Sequence, residues 1–184
     1  MMADAMDIPA NPEVDLSQVP KLGSLDFTGV SPAYRTLRLV QWGLVQTVLA
    51  LGILSPMILR AVSPDTELPE NLGAGFLWVP LVVQLVLGGF WLLEEALGFP
   101  RRGYVVRDRD ITYRTGWFSR STTTVPYGQI QHLELTQGPA ARVFGLKHLK
   151  LYTAGGSGNL RIAGLDEEDA ESLRAVLDTR TGKG

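Results

Sequence analysis

Two long runs of this chain carry no charge. Between Arg38 and Arg60 lie twenty-one uncharged residues, LVQWGLVQTVLALGILSPMIL, and between Glu70 and Glu94 lie twenty-three more, NLGAGFLWVPLVVQLVLGGFWLL. At a helical rise of about 1.5 Å per residue, each run can cross a hydrocarbon core of about 30 Å. Core helices of soluble proteins rarely extend so far without a charge, so the runs predict a transmembrane hairpin over 34–100, with helices at about 37–60 and 72–97. Trp42, Trp78 and Trp91 fall near segment ends, where an aromatic belt belongs. Gln41, Gln46 and Gln84 are the polar residues available to hydrogen-bond between the helices, and Pro56 and Pro80 are expected to kink them. Neither span has an interior ionisable residue or a strict Gly-x-x-x-Gly, which argues against an ion pathway and supplies no dimerisation motif.

The net charge of −2 hides a partition. Residues 1–100 carry four Lys/Arg against ten Asp/Glu, residues 101–165 carry ten against three, and 166–184 carry three against six. Arg35 and Arg38 precede the first run, and Arg101, Arg102, Arg107 and Arg109 follow the second. The short connection AVSPDTELPE is acidic. The positive-inside rule therefore predicts a multi-pass inner-membrane protein with both termini cytoplasmic. Residues 1–33, with four prolines and no periodicity, read as a disordered tail and do not resemble a secretory signal. There is no cysteine, hence no disulfide and no thiolate chemistry.

From residue 101 the pattern changes to short β-segments. Strands are predicted at Gly103–Arg107, Asp110–Thr115, Ser119–Val125, Gln129–Leu135, Lys147–Thr153 and Leu160–Ala163, with Gly116 and Pro126 as punctuation. GPAARVFG, bounded by Gly138 and Gly145, reads as a turn with a short helix, and Gly155-Gly156-Ser157-Gly158 reads as a hairpin turn. Ile130 is out of phase with Leu133 and Leu135, as at a β-bulge or an outward-facing position. A final helix follows an Asp166 N-cap. Leu165 is expected to staple on Ala170, while Ala170, Leu173, Val176 and Leu177 form the stripe that packs on the sheet. Residues 180–184 read as a frayed tail. The class is α+β: a membrane hairpin, then a cytosolic domain over 101–179 in which a small antiparallel sheet or barrel is closed by a helix.

The block YVVRDRDITYRTGWFSRSTTTVPYGQIQHLELTQGPAARVFGLKHLKLYTAGG, preceded by two spans, resembles the bacterial pleckstrin-homology-like membrane proteins, the YdbS-like group. The strand pair before "TG", the "VPYGQIQ" strand around Gln129, Ile130 and Gln131, the "TQGPAARVFGL" connection and the "LYTAGG" end at Gly155 carry the likeness. It covers about residues 34–178. The resemblance implies a strongly bent antiparallel sheet closed by a C-terminal helix, and it does not imply an enzyme.

Chemistry-bearing residues are few. His132 and Glu134 share a strand face and His148 lies on a neighbouring strand, but a catalytic zinc needs three ligands and the chain has two histidines. A solvated polar face opposite Leu133, Leu135, Leu149 and Leu151 accounts for them better. Glu94-Glu95 reads as an interfacial helix end, because adjacent helical residues diverge. The glycine cluster lacks the lysine of a phosphate loop, and no nucleophile elbow is present. No catalytic residue, metal, cofactor, small-molecule substrate or nucleic-acid partner is predicted. Arg101, Arg102, Arg107, Arg109, Arg114 and Arg120 are the candidate contacts with anionic lipid. Trp117 and Phe118, in a turn, either dip into lipid or cap the sheet, and capping is the favoured reading. The expected role is a non-enzymatic interaction or scaffold module that binds another membrane protein or itself. Sensing of anionic headgroups is the alternative.

Overall fold

Both uncharged runs are helical in the computed structural model, which describes residues 25–63, 74–154 and 159–182. Helix α1 spans Pro32–Val62 and α2 spans Ala74–Gly98, each long and apolar enough to cross a bilayer. Pro56 and Pro80 lie inside them. The start of α1 is earlier than expected. Pro32 stands in its first turn, where a missing N–H costs nothing, and the Ser31 hydroxyl accepts from Ala33 N at 3.2 Å. Thirty-one residues make a helix about 46 Å long, roughly 16 Å more than a hydrocarbon core requires.

The surplus belongs to the domain. Leu37 is buried beside Ala141 and Leu146. The segment before α1, expected to be disordered, is ordered from residue 25: Thr28–Gly29 forms strand β1, and Val30 enters the core. Residues 1–24, the connection from residue 64 to residue 73, and Gly155–Gly158 lie outside the described residues.

A short 3-10 turn at Phe99–Arg101 links α2 to the domain. Strands β2 (Gly103–Val106), β3 (Asp110–Thr115) and β4 (Ser121–Pro126) join β1 in one antiparallel sheet, ordered β1-β2-β3-β4. Strands β5 (Ile130–Thr136), β6 (Leu146–Thr153) and β7 (Leu160–Asp166) form a second. The antiparallel α+β class is as expected, but the strands divide between two sheets and do not close into one barrel. The inner residues Ile111, Val125, Leu149, Leu151 and Ile162 make a shared core, and α4 (Glu167–Thr181) seals it with Ala170, Leu173 and Leu177. Val176, expected in that stripe, is exposed. Asp166 occupies the N-cap position without a side-chain bond, and three acids occupy the first turn. The helix continues to Thr181, so Arg180, assigned to the tail, is helical.

Two irregularities position the rest. The β5–β6 register shifts between Ile130 and His132, which turns Ile130 back into the core at 4% exposure and explains its phase. The β6–β7 register shifts beside Lys147 and His148, opposite Gly164. Gly164 has φ +80, and a side chain there would collide with the Tyr34 ring of α1. Its carbonyl accepts from Ser31 N at 2.8 Å. This bulge seats the first turn of α1 on the sheet. Between β5 and β6, Gly138 and Pro139 start the five-residue helix α3 (Pro139–Val143), and Gly145 follows it.

Candidate functional site at the helix–sheet junction

A carboxylate buried without partners would be strongly destabilising. Glu95, 1% exposed near the end of α2, has two cationic partners. Arg38 of α1 donates from Nε at 2.9 Å, and Arg102 donates from Nη1 and Nη2 at 3.2 and 3.0 Å. The two guanidinium groups also lie against aromatic faces, Arg38 over Trp91 and Arg102 over Tyr34 and Phe99. One carboxylate therefore ties α1, α2 and the entry to β2 together. Glu94 diverges from it, as neighbouring helical positions must. Its oxygens accept the N–H groups of Trp117 and Phe118, each at 3.0 Å.

That turn is tight. Gly116 has φ +86, and a side chain would collide with the Ser119 carbonyl. Phe118 is 75% exposed and packs edge-on against Phe90 of α2 at 5.9 Å. The turn thus projects beside the apolar helix, and Phe118 does not cap the sheet, whereas Trp117 is half-buried.

The six candidate arginines separate. Arg102 is consumed by Glu95. Arg107 is paired with Asp110 at 2.7 Å, and Arg109 lies in the β2–β3 turn, at the end of the sheet away from the helix exit. Arg101, Arg114 and Arg120 come together at the near end, around a cleft of about 410 Å³ that Gly116, Ser121 and Thr122 also line. No ion pair among the described residues involves these three.

Between α1 and α2 lies a groove of about 660 Å³, with Gln41, Val45, Leu49, Val83 and Leu87 on its walls. Trp42 and Trp91 stack at one end, 5.9 Å apart and nearly parallel. The expected link between glutamines is present: Gln84 Nε2 donates to the Gln46 carbonyl at 2.8 Å and to Gln46 Oε1 at 3.2 Å. Gly88 admits the Gln46 side chain. Gln84 Oε1 is buried with no partner among the described residues.

The histidines do not converge. The His132 ring lies tilted against Tyr152, and Glu134 accepts from Tyr152 Oη at 2.7 Å with Lys150 at 3.6 Å. The Tyr152 hydrogen bond, then Lys150, hold the Glu134 carboxyl below its usual range. His148 was expected on the solvated face and is instead buried. Its Nδ1 accepts from Gly164 N at 3.0 Å, and Tyr34 packs edge-on against it. Burial, then the Arg161 charge, push its pKa down. No group of three potential metal ligands occurs among the described residues. Sequence reasoning missed the Arg38–Glu95–Arg102 junction and the role of His148, whose partners are remote in the chain.

The bacterial PH domain family model matches residues 44–181, well over half of the chain. A relative, the UPF0699 transmembrane protein YdbS of Bacillus subtilis (strain 168), is 30% identical over 107 residues. That alignment covers 54% of this chain and 65% of the relative, just under two thirds of its length. No solved structure matches. With a match that starts inside the first apolar helix and runs to the end of α4, the chain belongs to the bacterial PH domain family, as a YdbS-like membrane protein.

Proposed function

We propose that the chain is a non-catalytic, multi-pass scaffold whose PH-like module lies at the cytoplasmic face of the membrane and whose partner is another membrane protein. The observation that carries this is the groove between α1 and α2. Gln84 lies eleven residues before Glu95, so it sits about 16 Å below the junction, near the middle of a hydrocarbon core. The Gln41 amide, three residues beyond Arg38, is exposed on the groove wall, where an amide is costly next to lipid tails, and the Gln84 amide behind it keeps a buried Oε1 with no partner among the described residues. A transmembrane helix with a hydroxyl or amide group facing Gln41 would satisfy that amide, and interhelical bonds of this kind are worth roughly 0.6–2 kcal/mol. The basic flanks of the hairpin support cytoplasmic termini.

The test is photo-cross-linking in native membranes from a reactive residue at Val45, in the groove, and at Leu44, outside it. One membrane-protein adduct from position 45, absent from 44 and weakened by Gln41→Leu, is expected. Lipid adducts alone would refute the reading, and an adduct of twice the chain mass would replace the foreign partner by a second copy. A C-terminal reporter active only outside the cytoplasm should be silent; activity would invert the topology.

A further inference from the structure

We infer that the cleft formed by Arg101, Arg114, Arg120, Ser121 and Thr122 binds the phosphate of an anionic phospholipid headgroup. The inference shares with the proposed function only the membrane placement of the hairpin, and it is independent of any partner in the intramembrane groove.

Among the described residues Arg38 and Arg102 share the Glu95 carboxylate, Arg107 pairs with Asp110, and Arg35 lies over the Phe99 ring outside the cleft. Arg101, Arg114 and Arg120 have no carboxylate partner, so three positive charges face one small polar cleft. Surplus like charge in so small a volume is relieved by an anion, and guanidinium forks match phosphate oxygens.

Arg114 is held in place: its Nε donates to the Arg101 carbonyl at 3.1 Å, and its guanidinium lies over the Phe27 ring at 3.8 Å. Arg120 folds back over its own turn, Nε to the Trp117 carbonyl at 3.4 Å. The outer guanidinium nitrogens remain for a ligand. The strand pair Thr115↔Ser121 and Arg114↔Thr122 brings two hydroxyl residues beside them.

Position decides between a lipid and a free anion. Arg101 is three residues beyond the end of α2, at the depth where headgroups lie. The turn that closes the cleft is bound to α2 through Glu94, and its exposed Phe118 rests on Phe90, within the uncharged run. An apolar side chain directed along the membrane helix, beside a three-arginine cleft, fits an amphiphile with acyl chains on one side and a phosphate on the other.

The experiment uses the full chain in nanodiscs of phosphatidylcholine with and without phosphatidylglycerol, with bound lipid read by native mass spectrometry. Wild type should retain phosphatidylglycerol in preference to phosphatidylcholine. Arg114→Gln with Arg120→Gln should weaken that retention about a hundredfold, from roughly tenfold per lost charge-assisted hydrogen bond. Arg35→Gln, an exposed basic residue of α1 outside the cleft, should weaken it by no more than about fivefold, the share of diffuse surface attraction. Arg120→Gln alone, at an exposed position, serves if the double variant fails to fold. Equal loss in the Arg35 variant would mean diffuse surface attraction and overturn the site, as would unchanged retention in the Arg120 variant. An inorganic phosphate titration forms the second arm. Saturable phosphate binding without a phosphatidylglycerol preference would make the ligand a free anion and overturn the lipid assignment.

Discussion

Replacing Glu95 by alanine strands two guanidinium groups at the junction of three elements. The carboxylate accepts three charge-assisted hydrogen bonds, at 2.9, 3.0 and 3.2 Å. Removing one partner of a buried ion pair typically costs about 3–5 kcal/mol. The Arg102 side chain is 11% exposed and cannot readily rehydrate, whereas Arg38 is 27% exposed and can turn towards water or headgroups. The lower bound therefore applies, about 3 kcal/mol, which raises the opening equilibrium of the junction roughly a hundredfold. Hydrogen exchange of the intact protein in nanodiscs reads this locally. Amides of residues 34–38 and 99–103 should exchange about a hundred times faster in Glu95→Ala, while those of Leu146–Thr153 in β6 keep wild-type protection. Replacing the triad with Arg38→Met, Glu95→Leu and Arg102→Met should restore most of the protection, because the cost is unpaired charge and not lost packing. Wild-type exchange in Glu95→Ala would refute the reasoning. Equal acceleration at β6 would refute its local character.

His148 is buried and neutral, with a pKa pushed below its ordinary 6.5 by burial and by the Arg161 charge. A folded-state pKa below the unfolded one means that the unfolded chain takes up the proton first. The contribution is present above about pH 6.5 and is lost as pH falls from there towards the lower folded value. Thermal melts of wild type should show this loss, and His148→Asn, whose amide oxygen can still accept from Gly164, should remove that part of the pH dependence; an unchanged pH profile would sink the assignment. Gly164→Ala forces a side chain into φ +80 and against Tyr34. It should destabilise by about 1–3 kcal/mol and loosen residues 31–37 first. Unaltered protection there would show that α1 is not seated by the bulge.

The parts legible in the sequence are those encoded by local pattern. Uncharged length alone identified both helices, and β-branched and aromatic runs located β2 to β6 to within about two residues, while β7 runs on to Asp166, past the expected end at Ala163. Ile130 signalled its own bulge by breaking phase. Illegible parts depend on remote partners. Glu94 and Glu95 could be predicted to diverge, yet nothing local tells that Arg38, 57 residues away, meets Glu95. Strand β1 is two residues long, too short to show any period. His148 misled because β6 is covered on both faces near its start, so alternation no longer separates inside from outside. The arginines were grouped by sequence proximity, whereas the antiparallel turn sends Arg107 and Arg109 away from Arg114 and Arg120.

Helix α1 is unbroken from Pro32, on the bulge of β7, to Val62. It acts as a lever whose short arm is embedded in the PH-like module. A bilayer thinner than the apolar run tilts such a helix, and a tilt of 20° swings the end of a 46 Å rod sideways by about 16 Å. With Glu95 holding α2 to the same frame, the module cannot stay upright while the hairpin leans. A change in membrane thickness would then alter the angle at which the sheet faces the leaflet, with neither a ligand nor a change in the fold.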